Sequence, residues 1–360
     1  GIDFLMGALY TGSLPKIISD QATIEMNRVN NTNTNTRTVK QHMVDQIKAM
    51  PERVFKTPFF CDAFGASNKA TASGVDIFMA RDFQLPTGLV YQDTAADVIY
   101  VPTDGRVPHV SSGAPGFVGR ITGMNRYGVT MGVDIVRAAP CTPEAPGLNS
   151  ALLIRTVMDI AVNTTHAVEI VGSAERGVTW LYPICDGNGD CVTIEAGKYT
   201  PPGVDFNPLQ YVNSTKVKDA LPTAEFYEQH SSRDIYDRGM YVRDSTWQYP
   251  SEYLEYNEGL YDLVDVDYSP SESVWGSEGF VFDSYTIEND ITVSALHNNF
   301  FVPQRETSND IVICSNNAIV PEFRTSMMSY GGNFWETTAH GAQWRYDSLN
   351  QMLFIHYGNI

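Results

Sequence analysis

The chain has 360 residues, 43% of them hydrophobic, enough to bury a core in one large domain or two ordinary ones, which excludes a disordered protein. Its formal net charge of -18 repels nucleic-acid phosphates and anionic membrane surfaces, so no nucleic-acid partner is expected. No stretch approaches the roughly 18 to 20 uninterrupted apolar residues that span a bilayer, so no membrane span is expected either.

Residues 1 to 60 differ in character from the remainder of the chain: an apolar start, a Thr/Asn run from Asn30 to Thr38, then an expected helix from Val39 to Met50 ended by Pro51. The polar run reads as a surface loop open to proteolysis, and the whole segment as a propeptide or a fragment cut away. From Phe59 the texture changes to strands. Cys61 to Ala66 and Val75 to Arg81 flank a turn at Ser67 to Gly74 and read as a hairpin. Further strands are expected at Leu89 to Tyr91, Val98 to Val101, Phe117 to Thr122, Val129 to Val136, Val178 to Ile184 and Cys191 to Ala196. Between them, apolar residues recur at helical spacing over Asn149 to Ala161, with Asn149 or Ser150 as cap. A shorter helix comes next, capped by Thr164 or Thr165.

Five cysteines are present. Cys185 and Cys191 bracket Asp186-Gly187-Asn188-Gly189-Asp190, a tight turn that brings the two thiols together across a hairpin. A disulfide there implies an oxidising compartment, secreted or periplasmic, although reduced thiols in a cytoplasmic protein would fit the same spacing. The same run resembles the start of a calcium loop, but the Glu that closes such a loop at its twelfth position is missing.

From about 203 to 290 the chain turns acidic and rich in Tyr and Trp, and it reads as an insertion or lid on a domain spanning 61 to 360. Regular structure resumes at Ile291 to His297, Ile311 to Ser315 and a helix from Gln343 to His356. Clustered strands with helices set apart predict a layered α+β fold instead of alternating βαβ units.

No histidine or cysteine spacing suits a metal site, and no Gly-Lys-Ser/Thr or Gly-x-Ser-x-Gly motif occurs, so no cofactor, metal, nucleotide or serine chemistry is expected. Five ordered segments instead resemble the N-terminal-nucleophile (Ntn) amidohydrolases, the family of penicillin V acylase, choloylglycine hydrolase and acyl-coenzyme A:6-aminopenicillanic acid acyltransferase. They are Cys61-Asp62-Ala63-Phe64, Ala80-Arg81-Asp82-Phe83, Gly123 to Val129, Ser315 to Glu322, and Trp344 to Leu349. The likeness is greatest to the acyltransferase branch.

The resemblance implies a four-layer αββα sandwich, two antiparallel sheets between helical layers, with Cys61 opening a central strand. It also implies a reaction. Thiolate is the reactive form of cysteine, and a thiol of pKa about 8.5 is mostly protonated at neutral pH. In this family the freed α-amine of the cysteine is the base, which requires the Phe60–Cys61 bond to be broken first. Cys61 would then attack a linear, non-peptide amide, form a thioester and release the amine; water or another amine completes the turnover.

By the same resemblance, Arg81 supplies positive charge near the thiol, Asn316 donates to the oxyanion, and Arg345 supports the site. Asn125 reads as a stabiliser of the turn before Gly128. Two positions depart from the family pattern. Gln84 stands where a carboxylate is usual, leaving Asp82 to take that role. Asp134 stands where a second oxyanion Asn is usual; an ionised carboxylate cannot donate, which leaves its backbone N–H, a different substrate, or loss of activity.

The expected partner is therefore a small-molecule amide, and a homo-oligomer is compatible with the sequence. Gln84 and Asp134 favour a contrasting outcome, a non-catalytic secreted protein on a decayed Ntn scaffold, while Cys61, Arg81 and Asn316 oppose it. Family members tend to continue beyond Tyr357 to Ile360, so further C-terminal residues are expected in the natural protein.

Overall fold

The computed structural model describes residues 60–84, 95–113, 117–136, 147–177, 180–207, 237–247, 310–316, 318–320, 323, 345–346, 349–350 and 352–360, and the backbone of 264–265 and 286–287. The N-terminal segment, the expected helix at 39–50, the strands expected at 89–91 and 291–297, and most of the acidic stretch lie outside the described residues.

Two antiparallel sheets form the centre. The small sheet has the order β12-β1-β2, from β1 (Phe60–Ser67), β2 (Ile77–Gln84) and β12 (Ile311–Ser315). The large sheet runs β3-β4-β5-β6-β7-β8-β9, from β3 (Ala96–Tyr100), β4 (His109–Gly113), β5 (Thr122–Asn125), β6 (Thr130–Gly132), β7 (Leu181–Cys185), β8 (Cys191–Ala196) and β9 (Met240–Asp244). A further two-stranded pair, β10 (Val264–Asp265) and β11 (Thr286–Ile287), stands apart from both in pairing.

Strand alternation sorts the faces of the large sheet. One face packs on α1 (Ser150–Ile160) and α2 (Thr164–Ser173), where Leu153, Ile154, Val157 and Met158 join Met131, Tyr182, Ile184 and Ile194 in the main apolar core. The other face meets the small sheet. On the far side of the small sheet, Tyr346 and Leu353 from C-terminal helical turns at 345–346, 349–350 and 352–355 cover Ala66, Ile311 and Ile313. Among the described residues the fold is α+β, with two antiparallel sheets lying between helical elements.

Local sequence explains most boundaries. Asn149 caps α1, its side chain accepting from the Leu152 N–H at 2.9 Å. The cap of α2 is Asn163, one residue ahead of the expected Thr164, with the His166 N–H donating to it at 2.8 Å. Thr164 moves into the first turn because the Asp186 carboxylate accepts its N–H at 2.7 Å, satisfying an otherwise orphan donor at the positive helix end. The same carboxylate accepts the Asn188 N–H at 2.8 Å, so Asp186 organises the turn it begins.

Asn125 holds the turn at Gly128 as expected, accepting from Tyr127 and Val129 N–H at 3.0 and 3.2 Å, with Gly128 at φ +77°. Two strand expectations shift, and a strand forms where none is expected. The segment 117–121 is not a strand because Arg120 is buried and folds back on the Val118 and Gly119 carbonyls. β6 ends at Gly132, with only an isolated bridge from Asp134 to Leu181 beyond it. β9 lies inside the stretch read as an insertion, yet it pairs with β8 along its whole length and is an integral edge of the large sheet.

Cys185 and Cys191 face each other across the β7–β8 ladder and form a disulfide. It lies between the sheets, packed with Val312 against Ile77 and Met79. Among the described residues no helix is long and apolar enough to cross a membrane.

Candidate active site

Cys61 lies on the central strand of the small sheet and is fully buried. Cys61 pairs with Phe83 and Ala63 with Arg81, so register puts Cys61 and Arg81 on one face, turned toward the large sheet. The Arg81 side chain crosses the gap. Its Nε lies 3.3 Å from Asp134 Oδ1, its Nη1 donates to Thr122 Oγ1 at 3.0 Å, and its Nη2 donates to the Val133 carbonyl. Gly132 makes the crossing possible, since a Cβ there would sit 2.6 Å from Arg81 Cδ.

Asp134 is completely buried, which pushes its carboxyl up to about 6 even though the Arg81 guanidinium pulls the other way. Its backbone N–H donates to the Leu181 carbonyl at 2.9 Å. That bond removes the expectation that this N–H could serve an oxyanion. The neighbouring Cys314 thiol is held far above its ordinary range by burial and by the Asp134 carboxylate. A thiol so raised stays protonated and is a poor nucleophile.

Asn316 closes the site at the end of β12. Its Oδ1 accepts the Cys61 backbone N–H at 2.6 Å and Arg345 Nη2 at 2.9 Å, while its Nδ2 donates to the Ile135 carbonyl at 2.8 Å. Two donors at one end and a carbonyl at the other admit a single orientation of the amide. Arg345 is no surface arginine: its Nε donates to Asp62 Oδ1 at 3.0 Å, and its side chain is 13% exposed. Burial raises the Asp62 carboxyl, with Arg345 opposing.

Asp82 is not where the sequence pattern needs it. It pairs with Asp62 in register, one residue out of phase with Arg81, and is exposed on the opposite face of the sheet. There, with Asp62, Phe64 and Leu349, it lines a cavity of about 330 Å³. The structure thus links Arg81 to Asp134 and joins Cys61, Asn316 and Arg345 through the Asn316 amide, while Asp82 takes the other face of its strand and lines a cavity that Arg81 and Asp62 also line. Thr122, Gly132, Cys314 and the carbonyls of Val133 and Ile135 join the site without any sequence signal: the carbonyls act through backbone atoms, Gly132 through the space left by a missing side chain, and the Thr122 hydroxyl and Cys314 thiol through contacts far apart in sequence.

Residues 95–204 match the family described as acyl-coenzyme A:6-aminopenicillanic acid acyl-transferase. An uncharacterized protein of Archaeoglobus fulgidus is 29% identical over 199 residues, 52% of this chain; the chain spans 33% of that relative's length. Among solved structures, a Caenorhabditis elegans ortholog of N-acylethanolamine-hydrolyzing acid amidase is similar at TM-score 0.30 and 13% identity, covering 38% of this chain and 59% of that one. Penicillin V acylase from Agrobacterium tumefaciens is similar at TM-score 0.22 and 15% identity, covering 38% of each chain. A mutant form of conjugated bile acid hydrolase from Clostridium perfringens is similar at TM-score 0.30 and 11% identity, covering 64% of this chain and 65% of that one. Over residues 95–204, then, the chain is similar to the family described as acyl-coenzyme A:6-aminopenicillanic acid acyl-transferase.

Proposed function

We propose that the protein is a cysteine amidohydrolase, activated by cleavage of the Phe60–Cys61 bond and acting on a small, linear, non-peptide amide. The observation that carries this reading is the 2.6 Å bond from the Cys61 nitrogen to Asn316 Oδ1. A peptide nitrogen held there becomes, once the bond before it is cut, an α-amine with its orientation already set. Such an amine has an ordinary pKa of about 7.7–8.0, so a useful fraction is neutral at physiological pH and can take the proton of its own thiol.

The sequence of events follows from that base. The Cys61 thiol gives its proton to the α-amine as sulfur bonds to the substrate carbonyl carbon. The second hydrogen of Asn316 Nδ2 is the donor for the developing oxyanion, strengthened because Arg345 polarises the same amide through its oxygen. Collapse breaks the carbon–nitrogen bond and returns the proton to the departing amine, leaving a thioester. Water, or an amine admitted to the site, then releases the acyl group. The Arg81 guanidinium supplies positive charge on the Cys61 face and favours thiolate. The buried disulfide supports a secreted or periplasmic setting.

The test is intact mass and N-terminal sequencing of wild type beside Cys61→Ala, followed by an assay of amine release from small N-acyl amides. A new N-terminus at Cys61 and amine release, both lost in the variant, are the expected results. An uncut, inert wild type would favour the decayed scaffold, the reading that the missing Asn at Asp134 supports.

A further inference from the structure

The layer between the sheets buries a second ion pair besides Arg81–Asp134. Glu195 on β8 is fully buried, and its Oε1 accepts from Arg243 Nε on β9 at 2.7 Å. The same oxygen accepts the Ile319 N–H at 2.9 Å, and the Val320 N–H lies 3.3 and 3.2 Å from the two carboxylate oxygens. Arg243 in turn donates from Nη2 to the Ile313 carbonyl of β12 at 3.3 Å. Ile313 and Ile319 stand three residues before and three after Asn316. One ion pair, carried on the large sheet, therefore grips the small-sheet strand on one side of Asn316 and the loop on the other.

Filling this space with apolar side chains would commonly serve stability as well or better. Apolar contact is non-directional, however, whereas a carboxylate accepting backbone N–H groups and a guanidinium fork fixes positions along the chain. The segment so fixed is the one whose side chain must meet the Cys61 nitrogen at 2.6 Å.

We propose that Glu195 and Arg243 are positioning residues that set Asn316 against Cys61. The inference rests on the role given to Asn316 in the proposed function. Neither residue needs to contact substrate; each acts through the backbone around Asn316.

The experiment uses the full chain carrying Glu195→Gln or Arg243→Lys, each alone and combined with Asn316→Ala. The first keeps an acceptor and loses the charge; the second keeps the charge pair and loses the fork. Cys61 alkylation by iodoacetamide, followed by peptide mass, and self-cleavage before Cys61 are measured between about pH 6 and 9, the range spanning the amine and thiol pKa values.

With Asn316 present, each variant is expected to slow both reactions by about 10-fold or more, since misplacement by about an ångström is that costly. In the Asn316→Ala background neither variant should slow them further. Variants that fold cooperatively and react at the wild-type rate, or that slow both backgrounds equally, overturn the proposal while leaving the proposed function intact. A wild type that neither cleaves itself nor labels at Cys61 overturns both. Should Glu195→Gln not fold, Arg243→Lys carries the same comparison.

Discussion

Asn316 Oδ1 receives two donors, the Cys61 backbone N–H at 2.6 Å and Arg345 Nη2 at 2.9 Å, while the other end of the amide faces the Ile135 carbonyl at 2.8 Å. This arrangement tells apart two substitutions at the same position. Asn316→Asp keeps the acceptor for the Cys61 nitrogen but sets a carboxylate oxygen against the Ile135 carbonyl. Both Asn316→Asp and Asn316→Ala should slow self-cleavage and amine release by about 10²-fold, on the scale of losing one oxyanion donor. Only the Asp variant should recover partly on acidification, which a rate–pH profile would show.

Gly132 sits where Arg81 passes between the sheets. A Cβ there would lie 2.6 Å from Arg81 Cδ and 3.0 Å from its Nε, and Arg81 is held at both ends of its guanidinium. Gly132→Ala should cost about 1–3 kcal/mol as overpacking and slow iodoacetamide labelling of Cys61 as Arg81 shifts. Thermal melts and labelling rates measured together check it; a stable variant with unchanged labelling would show that Arg81 tolerates displacement.

A Cβ at Gly65 would collide with both disulfide sulfurs, lying 2.8 Å from Cys191 Sγ. Gly65→Ala is expected to destabilise the protein on its own. Removing the disulfide as Cys185→Ala with Cys191→Ala costs about 2 kcal/mol by loop-entropy reasoning for so short a loop, and it opens room for the extra methyl. The triple variant should therefore be more stable than the sum of its parts, which denaturant titrations of all the variants would reveal.

His109 is buried, stacked 4.8 Å from Tyr100, and its Nε2 receives both Arg120 Nε and Nη2 at 3.2 Å. That nitrogen must be the lone-pair end, with the proton on Nδ1 facing the Val107 carbonyl at 3.1 Å. Burial, with Arg120 adding to it, lowers the folded-state pKa below the unfolded value near 6.5. Asp159, whose Oδ1 lies 3.5 Å from Nδ1, opposes that shift. The stability contributed by neutral His109 is present above about pH 6.5 and is lost as pH falls from there toward the lowered value. Unfolding free energies across this range should fall less steeply in His109→Gln than in wild type.

Asp134 shows the opposite sign. Its carboxyl is raised to about 6 by burial, so between its unfolded value near 4 and about 6 the folded state holds the extra proton. Its contribution to stability therefore declines as pH rises through that window and levels off above it. In Asp134→Asn this decline should vanish, so wild-type and variant stability curves should diverge between about pH 4 and 6 and run parallel above 7.

Much of the local structure was legible along the chain. The hairpin of β1 and β2, the strands Cys191–Ala196 and Ile311–Ser315, the capped helix at Ser150–Ile160 and the Cys185–Cys191 bridge all depend on neighbours a few residues apart. Periodicity, capping and turn chemistry act at that range. β4 and β9 escaped notice because His109–Gly113 carries little apolar alternation and Met240–Asp244 is embedded in acidic surroundings; both gain their strand character from the ladders beside them.

The candidate site divides in the same way. The family resemblance of five ordered segments pointed to Cys61, Arg81, Asn316 and Arg345. Only the tertiary structure decided that Asp82 faces away, because a single step of strand alternation separates it from Arg81. Only the tertiary structure bound the Asp134 N–H to Leu181 and set the Glu195–Arg243 pair around the Asn316 segment. Residue type is written in the chain, but which face a side chain takes, how deeply a charge is buried and which backbone groups remain to be bonded are properties of packed sheets, settled by contacts between residues far apart in sequence.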